Sequence, residues 1–281
     1  MKKTGKQKLR LARVFLYLFA FFSVVFILYP YFVMLVSSLK GMDEIFRIPG
    51  TIFPEKWVWT NYVDIWRDIP LAVYFKNSAI IAVGATALCI ACAIPAGYAL
   101  ARMQFPGKRF VMSCIVVTQM FSAVVLLVGI YKLMVSLHLQ NTRTGLILLI
   151  AAFNQAFAAW LLSGTFATIS KELEEAAMID GCSRVRALIR VILPLAAPGI
   201  VTAIVFVFIN AWNEYTLTLV LIGDPMLKSL NVGIHAFFGY TNTEWWYVFA
   251  ASLLATLPIL CFFQILERQL VGGLTAGGVK G

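Results

Sequence analysis

The chain has 281 residues, 61% of them hydrophobic, with a mean hydropathy of +0.86. A soluble domain is about half apolar; here the excess is gathered into long, nearly uncharged runs, which excludes a soluble globular protein and marks an all-α integral membrane one. The net charge of +10 is not a nucleic-acid footprint, because its distribution follows the rule that inward-facing loops of membrane proteins are basic.

Six runs are each long enough to cross the hydrocarbon core as a helix: 12–37, 77–101, 110–131, 145–168, 199–222 and 246–267. With the N-terminus inside, the inner segments 1–13, 102–109, 169–198 and 268–281 hold 15 Lys and Arg, and the outer segments 38–76, 132–144 and 223–245 hold 8, although the outer ones are together longer. Both termini are therefore predicted to be cytoplasmic. The chain divides into a basic tail (1–13), a six-span membrane domain (14–267) and a C-terminal tail (268–281). The first run is too long for a signal peptide and lacks a small-residue cleavage site, so it is predicted to be retained as a signal-anchor helix.

Segment 38–76 carries Pro49, Pro54 and Pro70 with Trp57, Trp59, Tyr62 and Trp66 interleaved, the composition of a lid at the membrane interface. Span two is rich in small residues, among them Ala82, Ala93 and Gly97, that allow close helix approach, and Pro95 is expected to kink it. Cys89 and Cys92 have metal-ligand spacing but lie in an apolar helix with no partner histidine, so they are read as small packing residues. None of the five cysteines falls in an outer segment, which leaves no extracellular disulfide framework.

Spans three to five place polar groups at similar depth: Thr118, Gln119 and Ser122; Asn154 and Gln155; and Asn210, Asn213 and Glu214. On a continuous helix the last three, at i, i+3 and i+4, share one face, which Thr218 extends. Polar groups at mid-membrane are costly and seldom face lipid. These residues are expected either to line a polar path or to glue the bundle by interhelical hydrogen bonds.

The interval 172–199 is polar where its flanks are apolar. Ser170 is expected to cap a first helix whose acids Glu172, Glu174 and Glu175 suit its positive end. Leu173, Ala176 and Ala177 form a small apolar face. Gly181 is the expected stop. Ser183 then caps a second helix with an apolar stripe of Val185, Leu188, Ile189 and Ile192, which Pro194 is expected to end, with the next span starting near Gly199.

Glu175-Ala176-Ala177, then Gly181 after three intervening residues, then nine residues and Val191-Ile192-Leu193-Pro194, resembles the E-A-A-x-x-x-G…I-x-L-P cytoplasmic signature of ABC importer permeases, with valine in place of the isoleucine. YALAR at Tyr98–Arg102, WNEY at Trp212–Tyr215 and the ending GLTAGGVKG are similar to the maltose-permease group of carbohydrate importers. The resemblance implies the type I importer fold, six spans with a cytoplasmic two-helix coupling loop at 170–198. It implies that Glu175, Ala176, Ala177, Gly181, Leu193 and Pro194 couple the chain to a separate ABC ATPase, and that the C-terminal tail reaches between the ATPase subunits. It further implies a second permease subunit, an extracytoplasmic sugar-binding protein, and an oligosaccharide, of maltodextrin type by the tail's likeness, in the cytoplasmic membrane of a prokaryote. Gln119, Asn154, Gln155, Asn210, Asn213 and Glu214 would then face the sugar. The chain has no G-x-x-x-x-G-K-[ST] and no nucleophile paired with His138 or His235, so no catalysis, metal or cofactor is expected in it, and ATP-Mg belongs to the partner. The alternative is a secondary transporter or channel that uses Glu214 as a proton or ion relay.

Overall fold

The computed structural model describes residues 3–239 and 243–278, with side chains from 13 to 239 and from 243 to 266. All regular structure among them is helical, as a chain in lipid requires when every backbone polar group must find its partner within its own segment. Five helices are long and apolar enough to cross a membrane: Arg13–Ser38, Leu71–Arg102, Arg143–Thr168, Arg184–Trp212 and Trp245–Leu266. Two further helices, Lys108–Thr118 and Ala123–Ser136, are bent by 101° at a short break and together have the length and hydropathy of a broken span or a re-entrant loop.

The chain forms two compact units. The first runs to Ile69 and adds Ile234–Leu254. Its helix α1 (Lys3–Ser38) takes up most of the predicted basic tail, and its apolar side chains are largely exposed, as suits a helix in lipid. Short helices α2 (Met42–Ile45) and α3 (Asn61–Asp68) follow. The outer segment is folded rather than loose. The buried Asn61 amide donates to the Ser38 and Lys40 carbonyls at 2.8 and 3.0 Å, and the Lys40 ammonium bonds the Thr51 carbonyl and hydroxyl. Burial pushes the Glu44 carboxyl up, but the Thr51 hydroxyl, the Glu55 N–H and Lys40 outweigh it and leave the group below its ordinary range. Trp57 and Trp59 stack at 6.2 Å and stay exposed, the arrangement of an interfacial aromatic pair.

The second unit spans Pro70–Gly233 and the chain from Ala255. Its core packs α4 (Leu71–Arg102), α7 (Arg143–Thr168) and α10 (Leu193–Trp212). Small residues let these helices approach: Ala93, Ala158, Ala196 and Ala203 are fully buried. A Cβ on Gly97 would stand 2.9 Å from Leu162 Cβ and 3.1 Å from the Ala159 carbonyl, so only glycine fits. Around this core lie α5 (Lys108–Thr118), α6 (Ala123–Ser136), α8 (Lys171–Ile179), α9 (Arg184–Ala187), α11 (Thr216–Leu221) and α12 (Leu230–Ile234).

Three expectations are corrected here. Span three is not one helix: α5 and α6 part at 119–122, where Ser122 turns to cap α6 by accepting from the Val124 N–H. At 11 and 14 residues neither piece reaches about 30 Å alone. Pro194 does not end the helix after Ser183. A π-helical turn at Leu188–Ile192, in which the Leu193 N–H donates to the Leu188 carbonyl five residues back, makes α9 and α10 one continuous helix. The missing proline N–H is thus absorbed at the second position of α10. Finally, that helix stops at Trp212, short of the predicted 222, and restarts as α11. At the chain's end, helix α13 (Trp245–Gly278) carries most of the predicted C-terminal tail, and residues 279–281 lie outside the described ones.

Candidate functional site

The polar interval folds largely as its caps dictate. The Ser170 hydroxyl accepts from the Glu172 N–H at 3.2 Å and Ser183 from the Arg186 N–H at 3.3 Å. Gly181 lies between α8 and α9 at φ +88°, a left-handed conformation that strains any residue with a Cβ.

Which faces turn inward differs from the expected stripes. On α8 the buried residues are Glu174 and Ala177, while Leu173, Glu175 and Ala176 are exposed. On the second helix Ala187 and Ile192 are buried and Leu188 half-buried, whereas Val185 and Ile189 face out. The predicted face and stripe are each divided, and on α8 the face turned inward is the one that carries Glu174. Its carboxylate accepts from the Tyr98 hydroxyl and stands 3.3 Å from Arg102 Nε. Arg102 Nη2 also donates to the Ile169 carbonyl at 2.7 Å, so the ends of α4 and α7 and the start of α8 meet at one ion pair. Sequence reasoning placed Glu174 only in the helix's acidic first turn. The available signal was the i, i+4 spacing of Tyr98 and Arg102, which sets both on one face at the end of α4.

The consequence is a segment whose exposed surface mixes large apolar side chains with charged ones. Ile179 is 86% exposed, and Leu173, Val185 and Ile189 are exposed in the same segment, which also exposes Lys171, Glu172, Glu175, Asp180, Arg184, Arg186 and Arg190. Leu193 is half-buried and Pro194 exposed, both on the helix that continues from α9.

The mid-span polar residues separate into two kinds. With its amide turned to the orientation its neighbours satisfy, Gln155 bridges to α4, donating to the Cys89 carbonyl at 3.0 Å and accepting from the Ala93 N–H at 3.1 Å, so it enters that helix's own hydrogen-bond ladder. Asn154 Nδ2 donates to the Ile150 carbonyl of its own helix. Gln155 and Thr118 border a groove of about 850 Å³ among α4, α5, α6 and α7, walled mostly by small and aromatic residues such as Ala96, Ala152 and Phe110. Gln119 follows α5 at the break and is exposed.

Asn210, Asn213 and Glu214 do not share a continuous helix face, because the helix breaks among them. Asn210 and Asn213 are exposed, and Asn213 is the residue at which α10 ends. Glu214 Oε1 accepts from the Leu217 N–H at 2.7 Å, where a carboxylate suits the start of α11. Thr218 is buried, and its hydroxyl has no hydrogen-bond partner among the described residues. Two amides outside the predicted set tie down the segment that follows. Asn141, at φ +53°, accepts from the Gly223 and Asp224 N–H groups at 3.1 and 3.0 Å, and Asn77 Nδ2 donates to the Met226 and Lys228 carbonyls. Asparagine's tolerance of the left-handed region was the signal for Asn141.

A multi-pass helical protein with a folded polar segment joined directly to a broken span has the architecture of an importer permease. The chain belongs to the binding-protein-dependent transport system inner membrane components, whose family model matches residues 93–274. It is 37% identical over 254 residues to the sulfoquinovosyl glycerol transport system permease protein SmoH of Agrobacterium fabrum, covering 90% of this chain and 89% of that one. It is 32% identical over 274 residues to the trehalose/maltose transport system permease protein MalG of Thermococcus litoralis, covering 96% and 98%. Its fold matches a chain in the crystal structure of a bacterial ABC transporter involved in the import of the acidic polysaccharide alginate, with a TM-score of 0.77 at 22% identity, covering 95% and 98%.

Proposed function

We propose that this chain is the permease subunit of an ATP-driven importer of an oligosaccharide or related glycoside. The observation that carries the reading is the segment 170–194, whose outward surface sets the apolar Leu173, Ile179, Val185 and Ile189 among charged side chains of both signs, and which is continuous with a 29-residue membrane helix. A partner ATPase in the cytoplasm would cover that surface, with both termini on the same side. Closure of the ATPase would then move α8 and the Arg184–Trp212 helix together and alternate access to the path. A second permease subunit would complete the path, and an extracytoplasmic binding protein would deliver the sugar. Asn210 and Asn213, exposed at the break, are the best placed of the predicted residues to meet it. A maltodextrin-like substrate is supported by the trehalose/maltose relative and by the GLTAGGVKG ending. The sulfoquinovosyl glycerol relative supports a wider glycoside class. The relay alternative loses its basis, since Glu214 has a capping task and the family is binding-protein-dependent.

The test is uptake by the reconstituted complex of permeases, ATPase and binding protein against a panel of maltodextrins, trehalose and sulfoquinovosyl glycerol. ATP-dependent uptake of one of these is expected. Uptake that follows a proton gradient and needs no ATP rejects the reading.

A further inference from the structure

The side chains of Arg102 and Glu174 are 7% and 9% exposed, and among the described residues no other buried charge pair involves the interval 170–194. An ion pair withdrawn from water gains little net stability, because the desolvation of both partners offsets their attraction; its best-attested use is to fix one arrangement against others. Here the arrangement fixed is the seat of α8. Glu174 is held through both oxygens, by the Tyr98 hydroxyl on one and by Arg102 on the other. Arg102 reaches on to the Ile169 carbonyl, the last residue before the Ser170 cap. Neighbouring Glu175 stays exposed, so the two adjacent glutamates point to different tasks.

The covalent route from the segment into the membrane passes through α9, the π turn and α10. That route begins after Gly181, a joint that sits in open space with no neighbour within 4 Å of an added Cβ. Along the backbone a push received by α8 therefore reaches α10 across a hinge, beside the packing of α8 on α9 and the π turn. The ion pair supplies what the hinge does not: a direct hold of α8 on the ends of α4 and α7.

Resting on the importer reading above, we propose that Glu174, Arg102 and Tyr98 are positioning residues that make α8 move as one body with α4 and α7, so that partner ATPase closure enters the core through this contact as well as through α10. The contact remains made throughout the cycle, and loosening it separates ATP hydrolysis from transport without removing the docking surface.

The experiment uses the full reconstituted complex and reads ATP hydrolysed per sugar imported. Glu174→Gln keeps the side chain's size and an acceptor for Tyr98 but removes the charge; it is expected to raise the ratio at least about fivefold, the low end of measured couplings between sites. Arg102→Lys, which keeps the charge and loses the fork, is expected to fall between this variant and wild type, and Tyr98→Phe to shift the ratio least. A residue of merely structural importance would lower the yield of complex and leave the ratio per assembled complex alone. An unchanged ratio in the assembled variants therefore overturns the proposal. Because poor assembly would hide the ratio, amide hydrogen exchange is measured in parallel on the permease. Lys171–Ile179 is expected to exchange at least about tenfold faster in Glu174→Gln, with Leu193–Trp212 unaffected. Unchanged exchange over α8 also overturns it. ATP-independent import by the wild type would instead sink the importer reading, while the exchange result would still report on the contact.

Discussion

Two polar stretches of the same compact unit, 170–194 and 210–218, treat their polar groups in opposite ways. In the first, serines cap helices, the central glutamate is buried against a tyrosine and an arginine, and the surface left outside sets large apolar side chains among charged ones. In the second, a helix ends, two asparagine amides remain exposed, and a buried threonine hydroxyl has no protein partner among the described residues. Satisfied inner polar groups under an exterior of apolar side chains rimmed by charges suit a surface for another protein. Uncommitted amides at a break in a membrane helix suit a polar solute, because irregular backbone at membrane depth is tolerated where it lines a cavity or is buried in protein.

The sharpest way to break this contrast is at Gly181. Its φ of +88° with open space around it means that a substitution acts through backbone strain and not through a clash. Gly181→Val should cost about 1–2 kcal/mol of local strain, turn α8 away from its seat, and reduce both ATPase association and uptake by about tenfold. Gly181→Asn, tolerated better in the left-handed region, should retain most of both. Co-purification and vesicle uptake measure the pair, and equal behaviour of the two variants would show that the joint's geometry is unimportant.

Ala176 and Ala177 sharpen the comparison next. Adjacent in sequence, they have opposite fates: Ala177 is 8% exposed beneath α8 and Ala176 faces out. Ala177→Leu overpacks the seat, for an expected loss of about 1–3 kcal/mol that shows as a lower melting temperature of the permease itself. Ala176→Leu should leave melting unchanged and weaken only ATPase association. The reverse pattern would mean that α8 is rotated from the orientation described.

Much of this architecture was legible in the sequence, and the limits have physical causes. The helix caps at Ser170 and Ser183 and the joint at Gly181 follow from local chemistry and appear where expected. Hydropathy found the spans but could not see their breaks, since Gln119–Ser122 and Asn213–Tyr215 interrupt runs that remain apolar on average. Pro194 misled in the other direction: proline ends most helices, yet a π turn upstream accommodates it. Inward and outward faces of α8 were misjudged for a reason of range. A glutamate between a leucine and another glutamate reads as solvent-facing, and only the long-range approach of Tyr98 and Arg102 makes the inside its place.

The exposed amides set a smaller effect. Asn210→Ala and Asn213→Ala each remove hydrogen-bonding groups that no helix packing needs, so the fold should be unaffected. If they meet the sugar, each should raise KM for uptake about three- to tenfold, the worth of one net hydrogen bond, with ATPase association unchanged. Wild-type KM in both variants would move the path elsewhere, with the Gln155 and Thr118 groove as the next place to test.

Glu214 carries the smallest expected effect and decides between transport chemistries. Its Oε1 accepts the Leu217 N–H, and a glutamine offers an acceptor oxygen at the same place. Glu214→Gln should therefore retain the start of α11 and change uptake by less than about fivefold, since what is lost is the charge's interaction with the helix start, typically about 0.3–1 kcal/mol. Glu214→Ala removes the acceptor as well and should cost about 1 kcal/mol of local stability, as lost caps do, seen as faster exchange at the α11 amides. An ion-relay carboxylate behaves differently: glutamine in its place abolishes coupled movement as completely as alanine does. Uptake measured in both variants, with and without an imposed proton gradient, separates the two. Near-normal ATP-driven uptake in Glu214→Gln keeps this carboxylate as the cap of a broken helix, and total loss in both variants would return it to the transport path.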